Sequence, residues 1–187
     1  VGMNVAADPL FTASYMGVNA GLVIVVADDP GMHSSQNEQD SRYYARSAHL
    51  PMLEPSDCQE ALDFVKLAFE MSEKYDTPVV IRTTTRMAHS RGIVQLSPRQ
   101  EVPVREVVRN MRKNVMLPVN ARMRHVVVEE RENTMADDAN DISINRIEWT
   151  EDRSVGVIAS GTAYQYVKEA APQLPVLKLG MVNPLGM

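Results

Sequence analysis

The hydrophobic and polar positions in the first half of the chain alternate between strand-like and helix-like patterns. Residues 21–27 are an unbroken apolar run, which is typical of a central strand covered on both faces. Apolar residues at helical spacing predict a helix that ends near residue 74, and a second apolar strand is predicted over 79–85. A short strand over 52–54 completes this part. The order of these elements predicts an α/β fold with parallel strands joined by helical crossovers.

The sequence predicts where three helices begin. Asp8 and Pro9 predict a helix over 9–17, with Asp8 as its cap and Pro9 in the first turn. The run Ser56-Asp57-Cys58-Gln59 fits a capping box, so the longer helix is expected to begin there. Residues 39–49, which carry two tyrosines and two arginines, predict a third helix directly after a polar loop.

The pattern weakens after Gly92. Residues 93–150 carry three prolines, many charges and weak periodicity, and we expect one short polar helix over 129–141. So long a stretch with little pattern is unusual inside one compact domain. We therefore interpret residues 93–152 as an inter-domain connection laid against a surface, following a first domain over 1–92.

A second α/β unit is predicted from Arg153 to the last residue. It has a strand over 155–159, a helix over 163–171 and a strand over 175–182. A unit of this size cannot cover both faces of its own sheet. We therefore expect residues 153–187 to be the start of a further domain, and the chain to be a fragment of a longer protein.

Composition and charge narrow the functional classes. The chain has 187 residues, of which 44% are hydrophobic, and its net charge of −5 argues against a broad phosphate-binding surface for nucleic acid. The longest apolar run is far shorter than the roughly 20 residues that cross a bilayer, so no membrane span is expected. The single cysteine, Cys58, excludes an intrachain disulfide and any iron–sulfur cluster held by cysteines of this chain alone. A reducing cytoplasm is the expected location.

The densest cluster of candidate chemistry is the loop DDPGMHSSQNEQD, which follows the first strand. Ligands of open α/β sheets bind at the carboxyl ends of strands, so this loop is the predicted site. His33 is the candidate proton shuttle, and Asp28 and Asp29 could hold its ring or cap a helix. The alternative interpretation is a solvated loop in which serine, asparagine and aspartate side chains bind its own backbone.

Two weaker candidates follow later strands. The stretch Arg82–Arg86, with His89–Arg91, comes after the second strand, but its threonines suit a strand in their own right. Ser160-Gly161-Thr162 joins a strand to a helix and could bind an anion, although a plain turn is the favoured interpretation. The sequence contains no motif for a metal, a dinucleotide or a P-loop nucleotide, so no residue is predicted as a metal ligand.

Five segments of the chain resemble one enzyme family. They are, in order, GLVIVVADDPGMHSSQNEQDSRYYAR, LEPSDCQEALDF, TPVVIRTTTR, MLPVNARMRHVVVEER, and the stretch from NRIEW through SGTAYQYV to VLKLGMVNPL. Over essentially its whole length the chain thereby resembles the alpha subunits of indolepyruvate:ferredoxin oxidoreductases, which belong to the thiamin-diphosphate-dependent 2-oxoacid:ferredoxin oxidoreductases. The string DDPGMHSSQNEQDSR is the most specific part of the resemblance.

The resemblance implies a fold and a reaction. Residues 1–92 are expected to be part of a pyrimidine-binding domain of the thiamin-enzyme type, and residues 153–187 the start of a transketolase C-terminal-like α/β domain. The implied reaction is the oxidative decarboxylation of an arylpyruvate, with coenzyme A accepting the acyl group and ferredoxin accepting electrons. The complete enzyme is expected to use thiamin diphosphate with magnesium and 4Fe–4S clusters. A smaller beta subunit and an oligomeric assembly are implied as well.

The same resemblance implies what this chain contributes and what it lacks. The family's glutamate that activates the aminopyrimidine and its diphosphate-binding domain lie outside the resembled segment, so the chain alone is expected to bind no cofactor and to be inactive. Carried over by position, His33 becomes the candidate catalytic residue, with Asp29, Ser34, Ser35 and Gln36 beside the cofactor or substrate. Two alternatives remain: a relative acting on pyruvate or a branched 2-oxoacid, and a non-catalytic interaction module.

Overall fold

The computed structural model describes residues 2–186 and contains two sheets with helices packed against them. Its helices are α1 (Gly2–Val5), α2 (Ala7–Met16), α3 (Ser41–Ser47), α4 (Cys58–Tyr75), α5 (Thr85–His89), α6 (Met111–Asn114), α7 (Pro118–Asp138) and α8 (Gly161–Ala170). Its strands are β1 (Val23–Asp28), β2 (Met52–Leu53), β3 (Val79–Thr84), β4 (Arg146–Glu148), β5 (Val157–Ser160), β6 (Val176–Leu179) and β7 (Met181–Asn183).

The first sheet has the strand order β1-β3-β2-β7. Strands β1 and β2 both pair with β3 in parallel, with Val23 opposite Val79 and Met52 opposite Val80. Helix α4 crosses between β2 and β3 and buries Phe64 and its apolar neighbours against the sheet. The predicted α/β fold with parallel strands and helical crossovers is confirmed.

The prediction that the first strand is central is wrong. Among the described residues β1 is an edge strand, and the Val25 side chain is 64% exposed. The central strand is β3, whose Val79 and Val80 are fully buried. A run of valine and isoleucine favours a strand wherever it lies in a sheet, so the run alone did not distinguish the centre from the edge.

Both predicted helix caps need adjustment. Helix α2 begins at Ala7, and Asp8 lies inside its first turn without capping it. At α4 the cap is Asp57, whose carboxylate accepts a hydrogen bond of 2.8 Å from the backbone N–H of Glu60. The Glu60 carboxylate in turn accepts one of 2.9 Å from the backbone N–H of Ser56. The predicted cap at Ser56 is therefore wrong: Asp57 caps α4, because an aspartate supplies a cap as well as a serine does. Glu60 bonds to the N–H of Ser56, one residue before the cap, and not to that of the cap itself.

Helix α7 is the largest feature that the sequence did not predict. It spans 21 residues, whereas the expected helix over 129–141 covers only its last part and the turn beyond it. Its Met135 is 1% exposed and lies in the main hydrophobic core with Ala139. Val119 and Met123 are exposed apolar residues on the same helix. Because apolar residues occur on several faces of α7, no single stripe of period 3.6 was visible in the sequence.

Shortening Met135 tests whether α7 belongs to the core. We expect Met135→Ala to lower the free energy of unfolding by about 2–3 kcal/mol, because it leaves a cavity that the flexible Met71 and Met181 fill only in part. Urea unfolding of the chain measures the change. The matched control is Met123→Ala on the same helix, where the side chain is 50% exposed and little change is expected. Equal effects of the two substitutions would contradict a core role for α7.

The second sheet has the order β4-β6-β5, and helix α8 joins β5 to β6 as predicted. The predicted strand over 175–182, however, is two strands that meet at Gly180. A Cβ atom added there would lie 2.8 Å from the Ile144 carbonyl oxygen, so the chain bends tightly at this glycine. After the bend, β7 pairs antiparallel with β2 in the first sheet. The last strand of the second unit thus forms the outer strand of the first sheet.

Within residues 2–186, no helix combines the length and the apolar character that crossing a membrane requires.

Candidate functional site

The carboxyl ends of several strands meet at one edge of the molecule. Strand β1 ends at Asp28, Glu54 directly follows β2, and β5 ends at Ser160. Strand β3 carries Arg82 near its own end. Ligands of open α/β sheets bind at such an edge, so the side chains gathered there are the candidates for chemistry.

A buried ion-pair network holds this edge together. Arg82 Nε donates to Asp28 Oδ2 at 2.6 Å, and Arg82 Nη1 donates to Glu54 Oε1 at 3.0 Å. The three side chains are only 4–7% exposed. One guanidinium therefore compensates two buried carboxylates. Its removal would leave Asp28 without a cation, and Glu54 would keep only Arg42, whose Nε atom lies 3.6 Å from Glu54 Oε1.

The network also reaches the neighbouring elements. Asp28 accepts hydrogen bonds from the backbone N–H and hydroxyl of Ser41, the first residue of α3, at 2.9 and 2.6 Å. Glu54 Oε2 accepts one of 2.7 Å from the hydroxyl of Ser160 in the second unit. The Ser160 turn is therefore a structural link, which agrees with the plain-turn interpretation. Sequence analysis singled out Arg82 but missed Glu54, because a lone glutamate after a two-residue strand gives no pattern.

Asp29 organises the backbone of the predicted site loop. Its Oδ2 atom accepts hydrogen bonds of 2.7 and 3.0 Å from the backbone N–H groups of Ser34 and Ser35, and its Oδ1 atom accepts one of 2.6 Å from Thr85 Oγ1. The Thr85 hydroxyl, followed by the backbone donors, holds the pKa of Asp29 well below its ordinary value. In this respect the loop binds its own backbone, as the alternative interpretation expected. Asp29 orders the loop by its backbone and not by holding the His33 ring.

The remaining predicted site residues lie on the surface of the loop. His33, Ser34, Ser35 and Gln36 are all exposed, after a left-handed turn with φ 83° at Gly31. A cleft of about 270 Å³ lies between this loop, β1 and α1, and both Asp29 and Ser35 line it. The structure thus brings part of the predicted set to one cleft, while His33, Ser34 and Gln36 lie outside its lining. A catalytic role for His33 stays a prediction.

The chemistry of this cleft fits an uncharged polar group and does not fit a diphosphate. Its polar lining consists of Asp28, Asp29, two serines, an asparagine and a glutamine, and no cationic side chain is among the described residues that line it. A diphosphate placed there would face two carboxylates without a counterion. Within residues 2–186, no group of three or more histidine, cysteine, aspartate or glutamate side chains is arranged to hold a metal ion. A magnesium-bound diphosphate therefore does not fit this cleft, and the one thiol, Cys58, cannot hold an iron–sulfur cluster alone.

Removing the Thr85 hydroxyl tests how the loop is held. We expect Thr85→Val to increase hydrogen exchange at the Ser34 and Ser35 amides several-fold, because Asp29 loses one of the partners that fix its carboxylate. Thr84→Val, one residue earlier, is the matched control and should leave exchange unchanged.

Because the folded pKa of Asp29 lies below its unfolded value, the contribution of Asp29 to the stability of the loop is present above the unfolded pKa and is lost as the pH falls through the folded pKa. The loop amides should therefore stay protected at pH 5, and loss of protection there would contradict this role of Asp29.

The residues of the second candidate site, Arg82–Arg86 with His89–Arg91, lie in two separate parts of the structure. Arg82 is buried in the ion-pair network, whereas Arg86, His89 and Arg91 are exposed and line a separate cleft of about 540 Å³. That cleft also receives the first residues of α4 and α8. Thr83 and Thr84 lie on β3, as the favoured interpretation held, whereas Thr85 begins α5 and the basic residues follow on that helix and beyond it.

The fold and the sequence together define the family. The family model for the thiamine-diphosphate-binding region of pyruvate flavodoxin/ferredoxin oxidoreductases matches residues 14–155. This chain belongs to that family. The matched range includes the polar loop, the ion-pair network and helix α7.

Individual relatives within the family are more similar to this chain. The chain is 45% identical over 193 residues to the indolepyruvate oxidoreductase subunit IorA of Archaeoglobus fulgidus, a match that covers 99% of this chain and 30% of the relative. It is 48% identical to IorA of Pyrococcus abyssi, again over 99% of this chain and 30% of the relative. The chain thus spans about a third of the length of the curated relatives that it matches.

A solved structure supports the fold. A 2-oxoglutarate:ferredoxin oxidoreductase from Magnetococcus marinus, with 2-oxoglutarate, coenzyme A and succinyl-CoA bound, matches with a TM-score of 0.64 over 98% of this chain and 41% of that one. The sequence identity is 12%, so this likeness shows the fold alone.

Proposed function

We propose that this chain is a segment of the large subunit of an enzyme that oxidatively decarboxylates arylpyruvates such as indolepyruvate. The products are an acyl-CoA and carbon dioxide, and ferredoxin accepts the electrons. The observation that carries the proposal is the 45–48% identity to indolepyruvate oxidoreductase subunits over essentially the whole chain. Identity at this level over the polar loop and the core supports a shared reaction class, whereas the fold by itself would not.

The complete enzyme supplies the groups that this chain does not hold. Thiamin diphosphate with magnesium and 4Fe–4S clusters are bound by other parts of the protein, since the one thiol, Cys58, cannot ligate a cluster alone and the cleft beside the loop is acidic. When bound, the thiamin cofactor supplies the carbon nucleophile for the 2-oxo group and accepts the electrons left by decarboxylation. A smaller beta subunit, ferredoxin and coenzyme A complete the set of partners in an oligomeric, cytoplasmic enzyme.

In this proposal, the polar loop of this chain binds and polarises the substrate and the cofactor. The His33 imidazole is exposed on the loop, where it transfers a proton to or from the substrate. The side chains of Ser34, Ser35 and Gln36 donate hydrogen bonds to the cofactor or substrate, and Asp29 fixes the backbone that carries them. The Asp28–Arg82–Glu54 network holds the base of the loop against the sheet.

The test is an assay of the full-length gene product together with its small subunit. Viologen reduction is followed without oxygen, in the presence of coenzyme A and thiamin diphosphate, with indolepyruvate and then with pyruvate or a branched 2-oxoacid. Activity selective for indolepyruvate is the expected result. Selectivity for pyruvate or a branched 2-oxoacid would change the proposed substrate but would leave the proposed reaction type unchanged. If a preparation loaded with its cofactors showed no activity with any of these substrates, the proposal would be overturned and a non-catalytic interaction module would be favoured.

A further inference from the structure

A second cleft lies between helix α8, the start of α4, and α5 with the residues that follow it, and the proposed reaction gives it no role. Its volume is about 540 Å³, and its lining includes Arg86, His89, Arg91, Ser90, Thr162 and Gln165. Three basic side chains and several hydroxyl and amide groups therefore share one concave surface. The cleft beside the polar loop has the opposite character, since its charged lining residues are Asp28 and Asp29.

The two arginines of this cleft have no carboxylate partner among residues 2–186. The Arg86 guanidinium lies over the Tyr166 ring at 5.4 Å from its centre, a contact that orients the group without neutralising it. Asp57 is the one carboxylate among the described lining residues, and its Oδ1 atom caps α4 through Glu60. The positive charge of Arg86 and Arg91 thus remains uncompensated within the described part of the chain.

The floor of the cleft is held in place by neighbouring residues. The Ser90 hydroxyl donates to the Met87 carbonyl oxygen at 2.8 Å and lies 3.6 Å from Cys58 Sγ. Further along, the backbone N–H of Gln95 donates to Gln59 Oε1 at 2.7 Å, which ties the chain after Arg91 to helix α4. The segment that carries the basic residues is therefore attached at both of its ends.

We propose that this basic cleft binds a phosphate or diphosphate group of a small molecule. Guanidinium groups match the geometry of phosphate oxygens and form charge-assisted hydrogen bonds with them. The first turn of α8, a helix of 10 residues without a capping side chain, adds the positive end of one helix dipole. The start of α4 adds none, because the Asp57 carboxylate caps it. The Thr162 hydroxyl lines the same cleft and adds a further donor. The Ser90 hydroxyl and the Gln165 amide already donate within the chain, to the Met87 carbonyl oxygen and to Asp57 Oδ2.

The test uses the full-length protein with its small subunit, saturated with thiamin diphosphate and magnesium so that the cofactor site cannot take up the probe. Inorganic pyrophosphate is titrated and followed by 31P NMR in the wild type and in the double variant Arg86→Gln/Arg91→Gln. The matched control is Arg122→Gln/Arg153→Gln, which removes two exposed arginines elsewhere, one of them also stacked on an aromatic ring, Trp149, at 4.9 Å.

We expect the Arg86→Gln/Arg91→Gln variant to bind pyrophosphate at least tenfold more weakly than the wild type, because it loses two charge-assisted contacts. The control should bind within about twofold of the wild type, because a phosphate interaction that depends on contact is insensitive to remote charges at physiological salt. Equal affinities of wild type and double variant, or equal weakening in the control, would overturn the proposal.

A parallel titration with coenzyme A identifies the source of the phosphate. Weakened binding of coenzyme A by the double variant would assign the cleft to that molecule, and unchanged binding would assign it to another phosphate ester. The proposal does not depend on the proposed reaction, and the two fail separately. A preparation that oxidises indolepyruvate but binds pyrophosphate equally well in both variants would refute the cleft alone, whereas an inactive preparation with arginine-dependent binding would refute the reaction alone.

Discussion

Arg82→Met is expected to lower the free energy of unfolding by about 3–5 kcal/mol, because it leaves the buried Asp28 carboxylate without a cation and Glu54 with only the more distant Arg42 at 3.6 Å. Methionine keeps most of the volume of the arginine stem, so the loss reports the charge rather than a cavity. Urea unfolding of the chain measures it.

Two further variants show whether the charge is the cause. Arg86→Met, four residues later and exposed, should change the free energy of unfolding by less than about 0.5 kcal/mol. Adding Asp28→Asn and Glu54→Gln to Arg82→Met should recover part of the loss, because neutral side chains no longer need a cation. A small loss in Arg82→Met, or no recovery in the triple variant, would show that the network does not stabilise the fold in this way.

His33→Ala is expected to lower the turnover number of the complete enzyme at least tenfold, since positioned acid–base groups contribute about 10²–10⁴-fold. The effect should appear in kcat more than in KM, because the imidazole acts on a proton that moves during the reaction. Steady-state viologen reduction by the full-length enzyme with its small subunit gives both constants.

Glu38→Ala is the control for this substitution, because Glu38 is exposed in the same loop and is not a candidate site residue. The control should retain near-normal turnover. Near-normal turnover of His33→Ala as well would remove His33 from the chemistry. In that case the exposed position of its ring, outside the lining of the neighbouring cleft, would reflect a role on the surface alone.

Local patterns predicted most elements of the fold. The helix that became α4 and the strand that became β3 were both expected within one or two residues, because an apolar stripe and an apolar run are direct consequences of burial. The parallel arrangement followed from their order. The order of the elements did not predict which strand is central. Strands β1 and β3 have similar compositions, and only their pairing distinguishes the edge strand from the central one.

Features that depend on distant contacts were not readable from the sequence. The Arg82–Glu54 contact joins residues on neighbouring strands, and Glu54 has no periodic signal of its own. Helix α7 was missed over most of its length because its apolar residues do not form one stripe. The bend at Gly180, by contrast, did have a signal, because a glycine inside an apolar strand often marks a bend or a close backbone approach. The prediction of one continuous strand over 175–182 does not take account of it.

The site loop shows the same division between local and distant information. Its location after a strand was predicted correctly, because Asp28 ends β1 and polar residues follow at once. The role of Asp29 required the Thr85 hydroxyl, which lies 56 positions later in the chain. Resemblance to a family supplied the candidate residues, and the structure supplied the contacts that hold their backbone.

The antiparallel strand β7 has a consequence for how such proteins can recombine. Because β7 pairs with β2 and lies beyond the second sheet in sequence, a crossover between residues 152 and 153 would give the first sheet strands from two different parents. Leu53 and Met181 face each other across that pairing and are both buried, so the two parents would have to agree in side-chain volume there. A crossover within segment 93–110, before α7, would keep β7, α7 and the second sheet in one inherited piece, but it would leave the same requirement at the β2–β7 pairing.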